Sequence, residues 1–419
     1  MINHPVVLLG LVAALASSPL VAQEAPVVSL DEALRMFAAN SLELRAARAR
    51  SDEAAGLARQ AGAFANPSLI ATHEPLSGGG RAYSETYLTV SQRLEISGAR
   101  GARADVGELR WEAARALLRA DSARLAFEVK EGFLEAALAQ ASFGVTERVV
   151  EVFRDAARSA IERYEAGDIS LYSLRRIQVE RARYETLLLD ADLDVAATQR
   201  ALALMVAPED DATRLAAEPL PMETPPDPLE EGLQLTAIER RPELVAARAD
   251  FQAQEAQARF ARAERIPVVT ATGGLKRQSD GLRGAFLGLS VPFPLFDRNG
   301  GALDAAAAGV QGGQERLALT ERQLQNDILR ATDAYLALRR RAALLTDDAF
   351  GDTADLLEIA TVAYDAGDME LVELLDAAEA LHQARTAEAR LVAQLWIAHF
   401  DLERAVGGFG EAPSTEDGQ

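Results

Sequence analysis

The stretch "YEAGDISLYSL" runs from Tyr164 to Leu174, and "YDAGDMELVEL" runs from Tyr364 to Leu374, 200 positions further along a chain of 419 residues. In both, a Gly-Asp pair interrupts a long helical pattern. Gly167 and Gly367 supply the left-handed conformation that ends a helix, and Asp168 and Asp368 are good N-caps for the helix that follows. Each motif reads as the sharp tip of an antiparallel helical hairpin, marked by Tyr164, Gly167 and Asp168 in one copy and by Tyr364, Gly367 and Asp368 in the other.

The 200-residue offset extends well beyond the tips. Glu43, Leu44, Ala46, Ala47, Arg48, Ala49, Arg59, Pro67 and Thr72 recur as Glu243, Leu244, Ala246, Ala247, Arg248, Ala249, Arg259, Pro267 and Thr272. Similarity kept in register over that length marks duplication of a whole structural unit, far longer than a solenoid repeat. The chain divides into a first repeat at 23–206, a proline-rich connection at 207–232, a second repeat at 233–406 and a disordered tail at 407–419. Each repeat holds a moderate helix, two extended segments and a long helical hairpin.

The hairpin helices are long. Proline is absent from Arg100 to Arg163 and from Leu303 to Ala363, so each stretch, if continuous, would reach about 90–100 Å at ~1.5 Å per residue. The return helices carry heptads, at Leu174, Ile177, Arg181, Tyr184, Leu188, Ala191, Val195, Thr198 and Leu202. The second repeat matches them with Leu374, Ala377, Leu381, Ala384, Leu391, Leu395, Ala398 and Leu402. That period is a coiled-coil seam, and its small residues let helices approach closely.

The extended segments are Pro67–Leu76, Tyr83–Ile96, Pro267–Lys276 and Ala285–Phe296, paired through the glycine-containing joints "SGGGRA" and "RQSDGLRG". In the second segment Thr86, Leu88, Val90, Leu94 and Ile96 share one face, while Glu85, Tyr87, Thr89, Ser91, Arg93 and Glu95 share the other. Such a dyad repeat is that of a membrane β-barrel strand, but alternation alone favours a soluble sheet packed on helices. The surrounding sequence favours the barrel. "MINHPVVLLGLVAALASSPLVA" at 1–22 reads as a secretory signal peptide, and no other run approaches the ~18 apolar residues of a helical span. Four strands leave two open edges, which lipid does not tolerate. Two copies would make eight strands with a filled interior, and three would make twelve around a water-filled lumen.

The bulk composition narrows the partners. Asp plus Glu number 64 against 43 Lys plus Arg, a net charge of −21, which argues against nucleic acid and against docking on anionic lipid through a basic patch. With no cysteine there is no disulfide, no thiolate metal site and no N-terminal lipid anchor.

Taken together, the duplication, the order of helices and strand pairs, and the two YxAGD tips resemble the TolC-like outer-membrane efflux proteins over nearly the whole mature chain. "NPSL" (Asn66–Leu69), "VSQRLEISGARGAR" (Val90–Arg103) and "VPFPLFDRNGG" (Val291–Gly301) are similar to the strand-to-helix joints of the CzcC-like heavy-metal branch. The resemblance implies a mostly α fold with a small β part. A homotrimer would build a twelve-stranded outer-membrane barrel, four strands per chain, above an α-helical coiled-coil tunnel in the periplasm. It implies a periplasmic adaptor at the tips and an inner-membrane pump of the RND type. It also implies a gate of inward carboxylates, carried here by Glu373 and Asp376. Three copies would place six acids around a narrow aperture, a potential that favours cations. The same two acids also suit a solvated helix face. Ser173 stands where many relatives carry an acid, and Met369 where some carry an arginine that holds the closed state.

No catalytic constellation and no cofactor motif is legible. His4 leaves with the signal, and His73, His382 and His399 are not spaced as metal ligands. His73 with Glu74 is a candidate lining pair for the barrel. The leading reading is the exit duct of a tripartite efflux system, with heavy-metal cations as a possible cargo class. Two alternatives stay open: a type I protein secretion channel, and a soluble periplasmic coiled-coil scaffold or adaptor.

Overall fold

The computed structural model describes residues 25–78, 81–207, 214–221, 223–226, 235–345 and 353–407. The signal segment 1–22 and the tail beyond Gly407 lie outside the described residues. In chain order the elements are β1 (Val27–Val28), α1 (Leu30–Asn40), α2 (Leu42–Gly62), β2 (Ser68–Gly78), β3 (Arg81–Leu94), α3 (Ala99–Ala166), α4 (Leu171–Val206) and β4 (Ala216–Ala217). A 3-10 turn (Leu235–Arg240) then leads to α5 (Pro242–Ala263), β5 (Val269–Gln278), β6 (Arg283–Ser290), α6 (Gly300–Leu345), α7 (Thr353–Ala366) and α8 (Leu371–Ala405). The two halves therefore repeat one order, helix, β-hairpin, long helical hairpin. Among the described residues no helix is long and apolar enough to cross a membrane.

α3 is one unbroken helix of 68 residues, about 100 Å long at ~1.5 Å per residue. Its hairpin with α4 closes along the seam read from the heptads: Leu174, Ile177, Tyr184 and Leu202 are buried, and the positions between them half-buried. On α8, Leu374, Leu391, Leu395, Ala398 and Leu402 are buried in the same way. α2 lies directly on α3, where Gly107 leaves no room for a side chain. A Cβ there would sit 2.9 Å from the Ala58 Cα.

Within the 207–232 connection, the described residues 214–221 carry a short strand. β4 pairs in parallel with β1, through Val27 with Ala216 and Val28 with Ala217. Gln140 on α3 clamps this ribbon, accepting from the Ala217 N–H (3.0 Å) and donating to its carbonyl (2.8 Å). Leu215 and Leu220 anchor it in the core beside Phe37 and Phe133. A run of two paired residues carries too little periodicity to be read from sequence.

Both long return helices need their last carbonyls satisfied. In the first half, Asn40 Nδ2 donates to the Val206 carbonyl that ends α4 (3.1 Å). In the second half this is done by Arg241, which is only 1% exposed. Its Nη1 donates to the carbonyls of Arg404 (3.0 Å) and Ala405 (2.7 Å). Its Nε and Nη2 form a fork on the Glu243 carboxylate (3.0 and 2.8 Å). Burial pushes the Glu243 carboxyl up, but the Arg241 guanidinium outweighs it and holds the group below the usual range.

The other four strands form one antiparallel sheet in the order β2-β3-β5-β6. β2 and β6 are its edges, unpaired on their outer sides among the described residues. β6 stops at Ser290 rather than Phe296, because Pro292 and Pro294 have no N–H to give the ladder. The β2–β3 ladder reaches closer to its joint than expected, out to the pair Gly78–Arg81.

Candidate functional site

The two YxAGD motifs end α3 and α7 by the same device. Gly167 (φ 85°) and Gly367 (φ 81°) are left-handed. The N–H groups of Gly167 and Asp168 donate to the carbonyls of Tyr164 and Arg163 (3.0 and 2.8 Å), and Gly367 and Asp368 do the same to Tyr364 and Ala363 (3.1 and 2.9 Å). Asp168 and Asp368 are not the N-caps that their residue type implied. Their backbone N–H groups complete the C-terminal cap, and the N-cap of the next helix comes two residues later. Ser170 caps α4, its Oγ accepting from the Ser173 N–H (3.1 Å). Glu370 caps α8 in a reciprocal box, with Glu373 Oε2 accepting from the Glu370 N–H (3.1 Å). A helix can be capped only where the chain is already extended, and the two residues after the left-handed glycine are spent on the turn.

The tips stand side by side. Phe153, Ala157, Leu174, Ile177, Tyr364 and Leu374 share one core beneath them. Phe153 stacks on Tyr184 with ring centroids 4.8 Å apart. The two tip tyrosines differ: Tyr364 is 2% exposed, whereas Tyr164 is 40% exposed. Burial raises the Tyr364 hydroxyl pKa against the opposing charge of Arg163. Arg163 itself was not singled out by the sequence. It lies over the Tyr364 ring at 5.4 Å and donates to the Tyr364 carbonyl (3.2 Å), tying hairpin to hairpin. Its counterpart 200 positions on is Ala363, so only one of the two tips carries this tie. That asymmetry was the available signal.

Glu373 and Asp376 are both exposed. At a spacing of three they share one face of α8, opposite to the buried Leu374, Leu375 and Ala378. Ala380, Gln383 and Ala387 continue this uncovered face. The remaining histidines are engaged in packing. His382 Nε2 meets Thr146 Oγ1 (3.1 Å) between α8 and α3, and burial holds its pKa down. His399 pairs with Glu403 (3.2 Å). Among the described residues no group of three or more His, Asp or Glu side chains converges as a metal site.

At the opposite end of the rods, the register settles which strand residues share a face. Glu85 sits opposite Glu74 and Gln278, while Thr86 sits opposite His73 and Arg277. One face therefore gathers Glu85, Tyr87, Lys276 and Gln278, with Lys276 Nζ 2.8 Å from Glu85. The other gathers Leu69, Leu88, Val90, Leu275, Leu287 and Leu289, all exposed. His73 and Glu74 point to opposite faces and do not form a lining pair. Only Glu74 joins the polar face.

The strand-to-helix motifs pin the sheet to the rods. Arg103 donates to the Ala61 carbonyl (2.8 Å) and to Glu95 (2.8 Å). At the same place in the second half, Asn299 donates to the Ala261 carbonyl (2.9 Å). In each joint a residue at the start of the long helix after a strand satisfies the end of the helix before it.

A family model of outer membrane efflux proteins matches this chain twice, at residues 33–207 and 234–408. The chain is 26% identical over 384 residues to the cobalt-zinc-cadmium resistance protein CzcC of Cupriavidus metallidurans, covering 91% of this chain and 90% of that one. It is 29% identical to the nickel-cobalt-cadmium resistance protein NccC of Alcaligenes xylosoxydans xylosoxydans, over 72% of this chain and 69% of that one. In fold it is similar to the CusC transmembrane channel, with a TM-score of 0.77 at 18% identity over 91% and 92% of the two chains. The outer membrane protein VceC of Vibrio cholerae gives a TM-score of 0.74 at 22% identity over 91% and 97%. A soluble scaffold or adaptor is thereby set aside, and the chain belongs to the outer membrane efflux protein family, the efflux channels of the outer membrane.

Proposed function

We propose that three copies of this chain form the exit duct of a tripartite efflux system for heavy-metal cations. The observation that carries this reading is the sheet: four strands, both edges unpaired, one polar face and one exposed apolar face. Joining β6 of one copy to β2 of the next removes every edge and turns the apolar face to lipid. The uncovered face of α4 supports the same assembly, with Tyr172, Val179, Leu189 and Leu193 each 66–72% exposed. A soluble monomer rarely leaves so long an apolar stripe open. The cargo class rests on the names of the two curated relatives, both metal resistance proteins, which favours metal efflux over protein secretion.

In this reading the tips at Tyr164, Gly167, Asp168, Tyr364, Gly367 and Asp368 meet a periplasmic adaptor that links the duct to an inner-membrane pump of the RND type. Glu373 and Asp376, aimed away from the hairpin core, ring the aperture. The double variant E373Q/D376N is expected to lower cation-over-anion permeability severalfold in planar bilayers, read as the reversal potential in a salt gradient. Glutamine still serves at the third position of a capping box, so the α8 terminus survives. An unchanged reversal potential would count against the gate.

Arg163 holds the two hairpins of one chain together at the tip. R163A is expected to raise single-channel conductance severalfold, with R163K in between, because a lysine keeps the charge and loses the planar fork. Equal conductance in all three proteins would remove Arg163 from the gate.

A further inference from the structure

One row of side chains crosses all four strands at the end of the apolar belt farthest from the helices. His73 lies opposite Thr86, Thr86 opposite Arg277, and Arg277 opposite Arg283. Facing pairs share a side of the sheet, so all four stand on the apolar side. Below them in the same columns come Ala71, Leu88, Leu275 and Ala285, and then Leu69, Val90, Gly273 and Leu287. His73 Nδ1 lies 3.0 Å from Thr86 Oγ1. Arg277 and Arg283 are exposed.

Two arginines directly opposed on neighbouring strands repel each other, and a sheet keeps such a pair at the cost of its own stability unless an anion lies between them. Among the described residues neither arginine has a carboxylate within ion-pair distance. Glu85 pairs with Lys276 on the other face. Asp280, in the turn between the two arginines, accepts from the Leu282 N–H (3.1 Å).

The location identifies the anion. The belt below the row faces hydrocarbon, so the row itself lies at headgroup level. The rods mark the periplasmic side, which puts this rim in the outer leaflet. Guanidinium groups recognise phosphate oxygens through paired N–H donors. We propose that Arg277 and Arg283, flanked by Thr86 and His73, form a docking site on the outer rim of the barrel for the phosphate of an anionic lipid headgroup. This rests on the barrel reading above, and it gives each chain one lipid site.

The test uses the full-length mature protein purified in neutral detergent, followed by native mass spectrometry and thermal denaturation. The probes are a bis-phosphorylated, acylated diglucosamine lipid, the same lipid with its phosphates removed, and inorganic phosphate. Trimers should retain the phosphorylated lipid, at up to one per chain, and gain thermal stability from it. R277Q/R283Q should lower retention about tenfold or more, and R277K/R283K less. Without lipid, the glutamine variant should be at least as heat-stable as the wild type, since the like-charge pair is gone. That separates a lost ligand from a damaged fold. Equal retention by wild-type and glutamine-variant trimers would overturn the site, as would equal binding of the phosphate-free lipid. Full stabilisation by inorganic phosphate alone would overturn the lipid assignment. Spectra showing monomers only would remove the barrel and this site together.

Discussion

Replacing Arg241 with alanine is expected to destabilise the helical body by about 3–5 kcal/mol, the range for breaking a buried ion pair by removing one partner. Arg241 is 1% exposed and makes four hydrogen bonds, two to the Glu243 carboxylate and two to the last carbonyls of α8. Alanine strands all of these acceptors at once, at the end where the helix dipole is negative. R241K keeps the charge but cannot serve both partners in fork geometry, and it should fall between alanine and wild type. Denaturant titration of the detergent-solubilised protein checks the order. The pH dependence carries a sign. The folded Glu243 pKa is lowered, so the pair's contribution is fully present above the ordinary glutamate value, about 4.3. It fades as pH falls through the lower folded value. The stability gap between wild type and R241A should therefore narrow in acid. A gap that stays constant down to pH ~3, well under the ordinary glutamate pKa, would mean that the carboxylate pair is not its source.

G274V is expected to abolish most of the folded channel. Gly274 faces Phe286 across β5 and β6, and the ring lies over the bare glycine. A Cβ at 274 would sit 2.6 Å from the Phe286 ring and 2.8 Å from the Leu88 carbonyl oxygen on β3. The ring can swing aside, but the carbonyl belongs to the neighbouring strand's backbone and can yield only if β3 and β5 separate. Overpacking a single site ordinarily costs about 1–3 kcal/mol, and here the strain falls on the ladder that joins the two halves of the chain. G274A should retain a fraction of folded trimer, and G274A/F286A more, because one of the two obstacles has been removed. Recovery from outer-membrane extracts as a trimer on mild electrophoresis reads the series. Wild-type recovery of G274V would show that β3 and β5 can part without loss of the barrel.

Much of the architecture is legible from period and punctuation. The seam along α4 and α8 shows at 3.5 residues per repeat, since a heptad leaves its mark on every turn. The alternation in β3 likewise separates Glu85 and Tyr87 from Leu88 and Val90. The two left-handed glycines announce the tips, because almost no other residue tolerates that backbone. The 200-residue echo ties these into two copies of one unit.

Other features depend on contacts between residues far apart in the chain, which no local pattern records. The sequence alone determined where the rods turn and which face of β3 is apolar, because helix seams, strand alternation and glycine turns are written in neighbouring residues. Only the tertiary structure decided that Arg163 reaches Tyr364, that Arg241 closes the end of α8, and that β1 finds β4. It also decided that Arg277 faces Arg283, with no carboxylate within ion-pair distance among the described residues. The helix contacts and the β1–β4 pair depend on closing long loops, and the arginine pair depends on the register of its hairpin, where a shift of one residue would exchange every partner.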